Sequence, residues 1–329
     1  MPRPALVLVW LTLALGLQSV LVAAPTAQAT EQGIALFRKG HFAEAKAILW
    51  QAVGANPKDA QAQAHLGMAI NNFDGDPDQA IFHLEAAARL EPTRARFQTW
   101  LGVAYGAKAG SVSIFRALGW ATKCREAFER GVALDPSDQE ARSALLQYYL
   151  RAPSIAGGGV EKARGQASAL ATLDPYLGLI AEGGIAEREK DPGQAERLYR
   201  KAIAQDPAKL GAYNSLGYVL LKAQRTQEAV ETFRKAVQVK DSDPNAHDSL
   251  AEGLLAQGQL DASLAEYHRA LEVDPYFTAS YPSLAQCYWK KNDLQKARQT
   301  YEKYLKLAPH GSQAKAVRKK LEELQQKGV

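Results

Sequence analysis

One spacing limits what this chain can become. A small residue, then an aromatic four positions on, then Ala or Tyr three further on, recurs at Ala229-Phe233-Ala236, Ser263-Tyr267-Ala270 and Ala297-Tyr301-Tyr304, each 34 residues after the last. Leu216-Gly217, Leu250-Ala251 and Leu284-Ala285 keep the same 34-residue step. The prolines Pro57, Pro92, Pro136, Pro175, Pro207, Pro244, Pro275 and Pro309 carry the ruler along the rest of the chain. A fixed period of this length describes a stack of similar supersecondary units, each contacting its neighbours, with no single central core. Within a unit, apolar residues follow a 3.6-residue period in two stretches. Turns such as Lys39-Gly40, Asp74-Gly75, Gln257-Gly258 and Lys291-Asn292-Asp293 separate them, which predicts two helices per unit. Composition agrees. Of 329 residues, 58 are alanine, the strongest helix former and one that lets helices approach closely. The chain reads as all-α.

Units starting at 26, 60, 95, 139, 178, 210, 244 and 278 give eight repeats ending at 311. Departures from 34 are one extra residue in the second unit, ten in the third, five in the fourth, and two missing from the fifth. Small residues mark the contact point of each second helix: Ala45, Ala80, Cys124, Ala163, Ala195, Ala229, Ser263 and Ala297. They predict helix pairs packed near the ~8 Å end of the usual spacing. The prolines are expected to end each unit, since proline cannot continue a helix. From Ser312 onward, Ala314, Val317, Leu321 and Leu324 form one apolar stripe among Lys and Glu, the pattern of a polar capping helix over 312–329.

These residues together resemble the tetratricopeptide repeat, a 34-residue helix-turn-helix unit, over about residues 26–311. The resemblance implies a right-handed superhelical solenoid of about eight repeats, whose first helices line a concave groove that binds protein or peptide.

The first thirty residues differ from the rest. Arg3 is the only charge before Glu31, Ala5 to Leu17 is unbroken apolar sequence, and Ala27-Gln28-Ala29 supplies small residues. A positive start, a short apolar run and an A-x-A exit predict a secretory signal peptide over 1–29, with the solenoid occupying 30–311. Cleavage there shortens the first helix of the first unit, whose end is expected to fray. The alternative is an uncleaved anchor in the inner membrane facing the periplasm, because the uncharged stretch from Pro4 to Thr30 is long enough to span. Either way the working part lies outside the cytoplasm, and a bacterial periplasmic location is expected.

Sequence signals of catalysis are missing: there is no G-x-S-x-G, H-E-x-x-H, phosphate loop or G-x-G-x-x-G. The chain is read as no enzyme, with no cofactor and no metal site. His65 and His83 share the second unit and are read as a structural pair, since no third ligand is evident. Cys124 and Cys287 lie about five units apart and are read as buried free thiols. Gly157-Gly158-Gly159 is read as a flexible turn. A net charge of +5 over this length lacks the dense basic stripe of a nucleic-acid binder, so none is expected as partner.

Two surfaces are candidates for partner binding. Carried over position by position, the groove of the family falls here on Asn214, Tyr218 and Lys222, on Asn245, Asp248 and Glu252, and on Gln286, Trp289 and Lys290. The clamp with which some members hold a C-terminal carboxylate is lost, because Asp248, Glu252 and Pro282 stand at its positions. The second surface is an edge made by residues 106–120 and 152–159, which lengthen the hairpins of units three and four. Hairpin turns all emerge on one edge, so the two tips are expected to be neighbours, with Ile114, Phe115, Arg116, Trp120 and Ile155 available to a partner. The opposing reading is that these apolar residues pack to close an elongated hairpin. The whole reads as a non-catalytic interaction scaffold of the bacterial envelope, binding a protein or peptide. The alternatives are a membrane-tethered assembly factor or an accessory subunit of an envelope enzyme; membrane contact needs the first segment uncleaved.

Ala27→Leu removes the small residue that the processing site requires. It is expected to leave a larger, membrane-bound species on immunoblots of cell fractions. Soluble envelope protein that retains the full leader in the wild type contradicts a cut after Ala29.

Overall fold

The computed structural model describes residues 26–328, and among them it is built from α-helices with no strand. Most of the expected leader, residues 1–25, lies outside the described residues. Helices pair in chain order. Units one to four are α1 (26–38) with α2 (Phe42–Ala55), α3 (Ala60–Phe73) with α4 (Pro77–Leu90), α5 (Ala95–Ser111) with α6 (Ile114–Leu134), and α7 (Gln139–Arg151) with α8 (Val160–Leu173). Units five to eight are α9 (Pro175–Arg188) with α10 (Pro192–Gln205), α11 (Leu210–Lys222) with α12 (Thr226–Val239), α13 (Pro244–Ala256) with α14 (Leu260–Val273), and α15 (Ser280–Lys290) with α16 (Leu294–Leu307). The capping helix α17 (Ala314–Gln326) buries Ala314, Val317 and Leu324 and exposes most of its charged residues. Each helix packs on the next, which makes a solenoid of eight hairpins.

In seven of the eight hairpins a bulky residue of the second helix occupies the step that faces a glycine or alanine of the first; in unit four the sizes are exchanged, with Leu146 on α7 and Ala167 on α8, both buried. Leu49, Leu84, Phe128, Tyr199 and Phe233 lie against Gly33, Gly67, Gly102, Gly183 and Gly217, where an added methyl would overlap the incoming side chain. Ala45, Ala80, Ala163, Ala195, Ala229 and Ala297 are 0% exposed, which places the small contact residues of the second helices where the periodicity puts them.

Three features extend or correct the sequence reading. The ten extra residues of unit three lengthen its hairpin as helix. They extend α5 to 17 residues and α6 to 21, against 13 and 14 for α11 and α12, and leave only Val112 and Ser113 between them. Unit five loses nothing. Gly40, Lys190, Gln224, Gly258 and Asn292 all take left-handed backbone, with φ between 61° and 77°, at the same step of the hairpin turn. Lys190 fits that step only if unit five starts at Tyr176 rather than 178. The two missing residues come out of the link before it, which shrinks to Asp174 alone, cap of both α8 and α9. Gly178 permits so short a link, because a methyl there would run into Ala171. Finally, Pro175 and Pro244 do not end units. Each is the first residue of a helix whose aspartate cap, Asp174 or Asp243, accepts from the backbone N–H that follows.

The array curls until its ends touch. Tyr276, in the link between α14 and α15, stacks on His41 with ring centroids 3.8 Å apart, and its hydroxyl donates to Glu44 Oε1 at 3.2 Å. His310 lies against Gly75. At the other limit, residues 26–29 form the first turn of α1, and Thr30 Oγ1 donates to Asp59 Oδ2 at 2.8 Å. A cut after Ala29 therefore falls inside a helix.

Ala229 is fully buried between α11 and α12, whereas Ala223 is exposed at the end of α11. Ala229→Leu overpacks that contact and is expected to destabilise by roughly 1–3 kcal/mol, while Ala223→Leu stays within about 0.5 kcal/mol. Urea unfolding followed by circular dichroism measures both, and equal midpoints refute this placement of the helix contact.

Candidate functional site

First helices of neighbouring units touch one another, α11 with α13 and α13 with α15 among them, and the most distinctive chemistry of the face they share lies between units six and eight. Asp248 and Glu252 stand one turn apart on α13 and share a face. Asp248 is only 6% exposed, and its one protein partner is Ser280 Oγ, which donates to Oδ1 at 2.5 Å. Burial, helped by the Glu252 charge, raises the Asp248 carboxyl to about 6, against the pull of the Ser280 hydrogen bond. No Lys, Arg or His among the described residues forms an ion pair with either carboxylate. From α11, the half-buried Tyr218 brings its hydroxyl to 3.4 Å from Ser249 Oγ and close to Glu252; desolvation and that carboxylate push its ionisation well above the ordinary tyrosine range. Asn214, one turn earlier on α11, holds its Oδ1 buried without a hydrogen-bond partner. From α14, Tyr267 is fully buried, and its hydroxyl also lacks a partner.

The other expected groove residues divide. Lys222 Nζ is taken by Glu187 Oε2 at 2.7 Å, and Asn245 is exposed at the start of α13. Gln286, Trp289 and Lys290 face the capping helix. With Pro282, Val317 and Lys320 they line a cleft of about 390 Å³, and Lys320 Nζ lies 5.1 Å from the Trp289 ring centre. Seven of the nine residues therefore fall into two separate neighbourhoods, and Lys222 and Asn245 belong to neither.

At the lengthened edge, Ile114 and Phe115 are 81% and 93% exposed at the tip of the α5–α6 hairpin, Arg116 is exposed beside them, and Ile155 is 77% exposed in the short 3-10 turn Ser154–Ala156. Tyr148 joins the two insertions: its hydroxyl lies 2.8 Å from the carbonyl oxygens of both Ala121 and Ala156. Trp120 is half-buried. Its ring packs 5.8 Å from that of Tyr105 and is flanked by Lys108 and Lys123, so it braces the long hairpin. Phe115 and Ile114 are free of that task.

One feature escaped the sequence reading. Gly102, Gly106 and Gly110, four residues apart on α5, line a cleft of about 610 Å³ between Cys124 and Phe128 of α6 and Ala144, Gln147 and Tyr148 of α7. The spacing was visible in the sequence, but groove positions were carried over only onto the regular units. His65 and His83 do not pair with each other. Each has its own oxygen partner, Gln61 O at 2.8 Å and Gln63 Oε1 at 2.7 Å, and burial holds both below the ordinary histidine range. Both cysteines are buried and free, and burial raises the Cys124 thiol to about 12. Among the described residues no group of three His, Cys, Asp or Glu is arranged to hold a metal ion, and no helix is long and apolar enough to cross a membrane.

The sequence profile described as tetratricopeptide repeat matches residues 30–71, 181–247 and 249–312, just over half of the chain. Cellulose synthase operon protein C of Escherichia coli K12 is 38% identical over 79 residues, which are 24% of this chain and 7% of that protein. The putative cellulose synthase operon protein C of Escherichia coli O157:H7 matches to the same extent. The chain thus spans a small fraction of the length of these curated relatives. The crystal structure of yeast Tom70 superposes with a TM-score of 0.63 at 15% identity, covering 87% of this chain and 59% of that one. At that identity the likeness is one of fold.

The raised carboxyl of Asp248 has a measurable consequence. The folded state holds its proton more tightly than the unfolded state does, so stability falls as pH rises from the unfolded value near 4 to about 6, and the whole cost is present above that. Asparagine keeps an acceptor for Ser280 without the charge. Asp248→Asn is expected to be more stable than the wild type by roughly 2–3 kcal/mol at pH 7.5, with the gap closing toward pH 4. Chemical denaturation at both pH values tests this; a less stable variant at pH 7.5 contradicts it.

Proposed function

Because the chain belongs to the tetratricopeptide repeat family, a protein-interaction scaffold, we propose that it works in the bacterial envelope without catalysis of its own and takes a segment of a partner protein along its inner groove, with the lengthened edge as a second contact. The observation that carries this reading is the inner face of units six to eight. Two carboxylates there have no cation, and a buried amide oxygen and a buried hydroxyl have no partner. Buried polar groups in a folded chain are nearly always satisfied, and here the missing partners are to be supplied from outside. The edge adds exposed Ile114, Phe115 and Ile155, apolar residues that the stack itself does not use.

The envelope setting rests on the apolar leader with its Ala27-Gln28-Ala29 exit. The partial likeness to a cellulose synthase operon protein is in keeping with it. A second reading, a membrane-tethered assembly factor, is favoured by the uncharged run from Pro4 to Thr30 if that run stays uncleaved. An accessory role beside an envelope enzyme is a further form of the same scaffold.

Capture from envelope extract tests the two surfaces separately. Asn214→Ala with Tyr218→Ala alters the groove, and Ile114→Ser with Phe115→Ser alters the tip. Both surfaces are expected to lose most of the captured partner. The tip variant should melt like the wild type, because its side chains make little use of the core. Full capture by the groove variant removes the groove from the reading, and full capture by the tip variant removes the edge.

A further inference from the structure

The polar groups of the inner face between units six and eight specify what kind of group the partner presents. We propose that the cluster around Asp248 and Glu252 receives the ammonium or guanidinium of a lysine or arginine side chain on the partner segment. This deepens the groove reading above and rests on it.

The argument is one of unmet acceptors. Asp248 is 6% exposed and has one hydroxyl donor, Ser280. Glu252 lies one turn away, and no cation of the described residues pairs with either. A desolvated carboxylate beside a second carboxylate, without a counter-charge, is unfavourable, and the energy is recovered by a cation that brings N–H donors. The surrounding groups are also suited to accept. Asn214 Oδ1 is buried and unpartnered, and the Tyr218 hydroxyl, 3.4 Å from Ser249 Oγ and close to Glu252, has oxygen lone pairs to offer.

An independent observation points the same way. Tyr267 is fully buried, and its hydroxyl has no partner. The residue at the same step of unit five, Tyr199, shows where such a hydroxyl points: it donates to Glu187 Oε1, on the first helix of its own unit, at 2.8 Å. In unit seven the position of Glu187 is occupied by Leu255. The Tyr267 hydroxyl therefore lacks the carboxylate partner that Tyr199 has; Ser283, Glu252 and Asp248 are the polar groups that bear on it, and its oxygen lone pairs remain open to the N–H groups of a cation.

Other occupants fit less well. An anion meets two carboxylates. An apolar side chain leaves both desolvated. A metal ion needs more ligands than the two carboxylates supply, and no group of three His, Cys, Asp or Glu among the described residues offers them. The protein as a whole carries +5, so this acidity is local to the groove.

Two fluorescein-labelled twelve-residue Gly/Ser peptides make the test: one carries three arginines, the other three citrullines, of the same shape without the charge. Anisotropy titration of the purified protein is expected to show the arginine peptide binding at least tenfold more tightly. Asp248→Asn with Glu252→Gln should abolish that difference. Asp261→Asn with Glu272→Gln, the same charge change on α14, should preserve it. Equal binding of the two peptides by the wild type overturns the proposal, as does equal loss in both double variants, which would make the preference a general charge effect. Saturable binding of spermidine that depends on Asp248 and displaces the arginine peptide also overturns it, in favour of a free amine. If Asp248→Asn with Glu252→Gln still captures the envelope partner while Asn214→Ala with Tyr218→Ala does not, the cation fails and the groove stands. If both variants capture it, the groove reading itself has failed.

Discussion

The seating of one bulky side chain against a small residue of the facing helix holds the units together, with the two sizes exchanged between helices in unit four, where Leu146 and Ala167 occupy these steps. Phe233 over Gly217 is the clearest case: the ring is fully buried, and nothing larger than hydrogen fits beneath it. Burying such a ring is worth roughly 1.5–3 kcal/mol, and the missing side chain lets the backbones of α11 and α12 close up. Because the contact is internal to each hairpin, the hairpin is a unit that neighbours extend by stacking. Length can then vary where the contact does not reach. Unit three adds ten residues beyond Gly102 and Phe128 without disturbing them, and unit four places a 3-10 turn between α7 and α8 while Ala163 stays buried.

The repeat was legible because that contact imposes small and large residues at fixed steps. Boundaries were less legible, for a specific reason. An Asp-Pro pair satisfies two structural demands: it terminates a helix, and it also supplies an N-cap followed by a first-turn proline. At Asp206-Pro207 the pair lies in a link; at Asp174-Pro175 it opens α9. The dipeptide alone does not say which. The left-handed residue of the hairpin turn is the better ruler, but at Lys190 and Gln224 it is not a glycine, and only the backbone reveals it.

The groove shows the same division. Counting positions from the repeat pointed to Tyr218, Asp248 and Glu252, and the structure brings these three together between α11 and α13. The counting did not find their burial or their partners. Asp248 meets Ser280 because the link after α14 is long and α15 begins only at Ser280. That link also carries Tyr276 to His41, so the same irregular stretch closes the array and positions the hydroxyl that holds the carboxylate. Trp120 shows the reverse error: a large aromatic in an insertion reads as an anchor for a partner, yet an elongated hairpin needs its own bracing, and Tyr105 supplies the other half.

A solenoid is a favourable place for a costly buried carboxylate. In a globular core, an uncompensated charge is surrounded by contacts on which the whole domain depends. Here the cost falls on the interface between units seven and eight, where Tyr267, Leu284, Ala251 and Cys287 make a compact apolar cluster behind the polar groups. Stability in such an array is approximately a sum of units and nearest-neighbour interfaces, so a penalty of roughly 2–3 kcal/mol at one interface is offset by the apolar burial beside it and is not felt at unit three. The apolar cluster adjoins the carboxylates, since Ala251 lies between Asp248 and Glu252 on α13. The packing that fixes the position of α13 against α15 thus also takes Asp248 out of water, and stability and an unmet demand for charge arise from one arrangement.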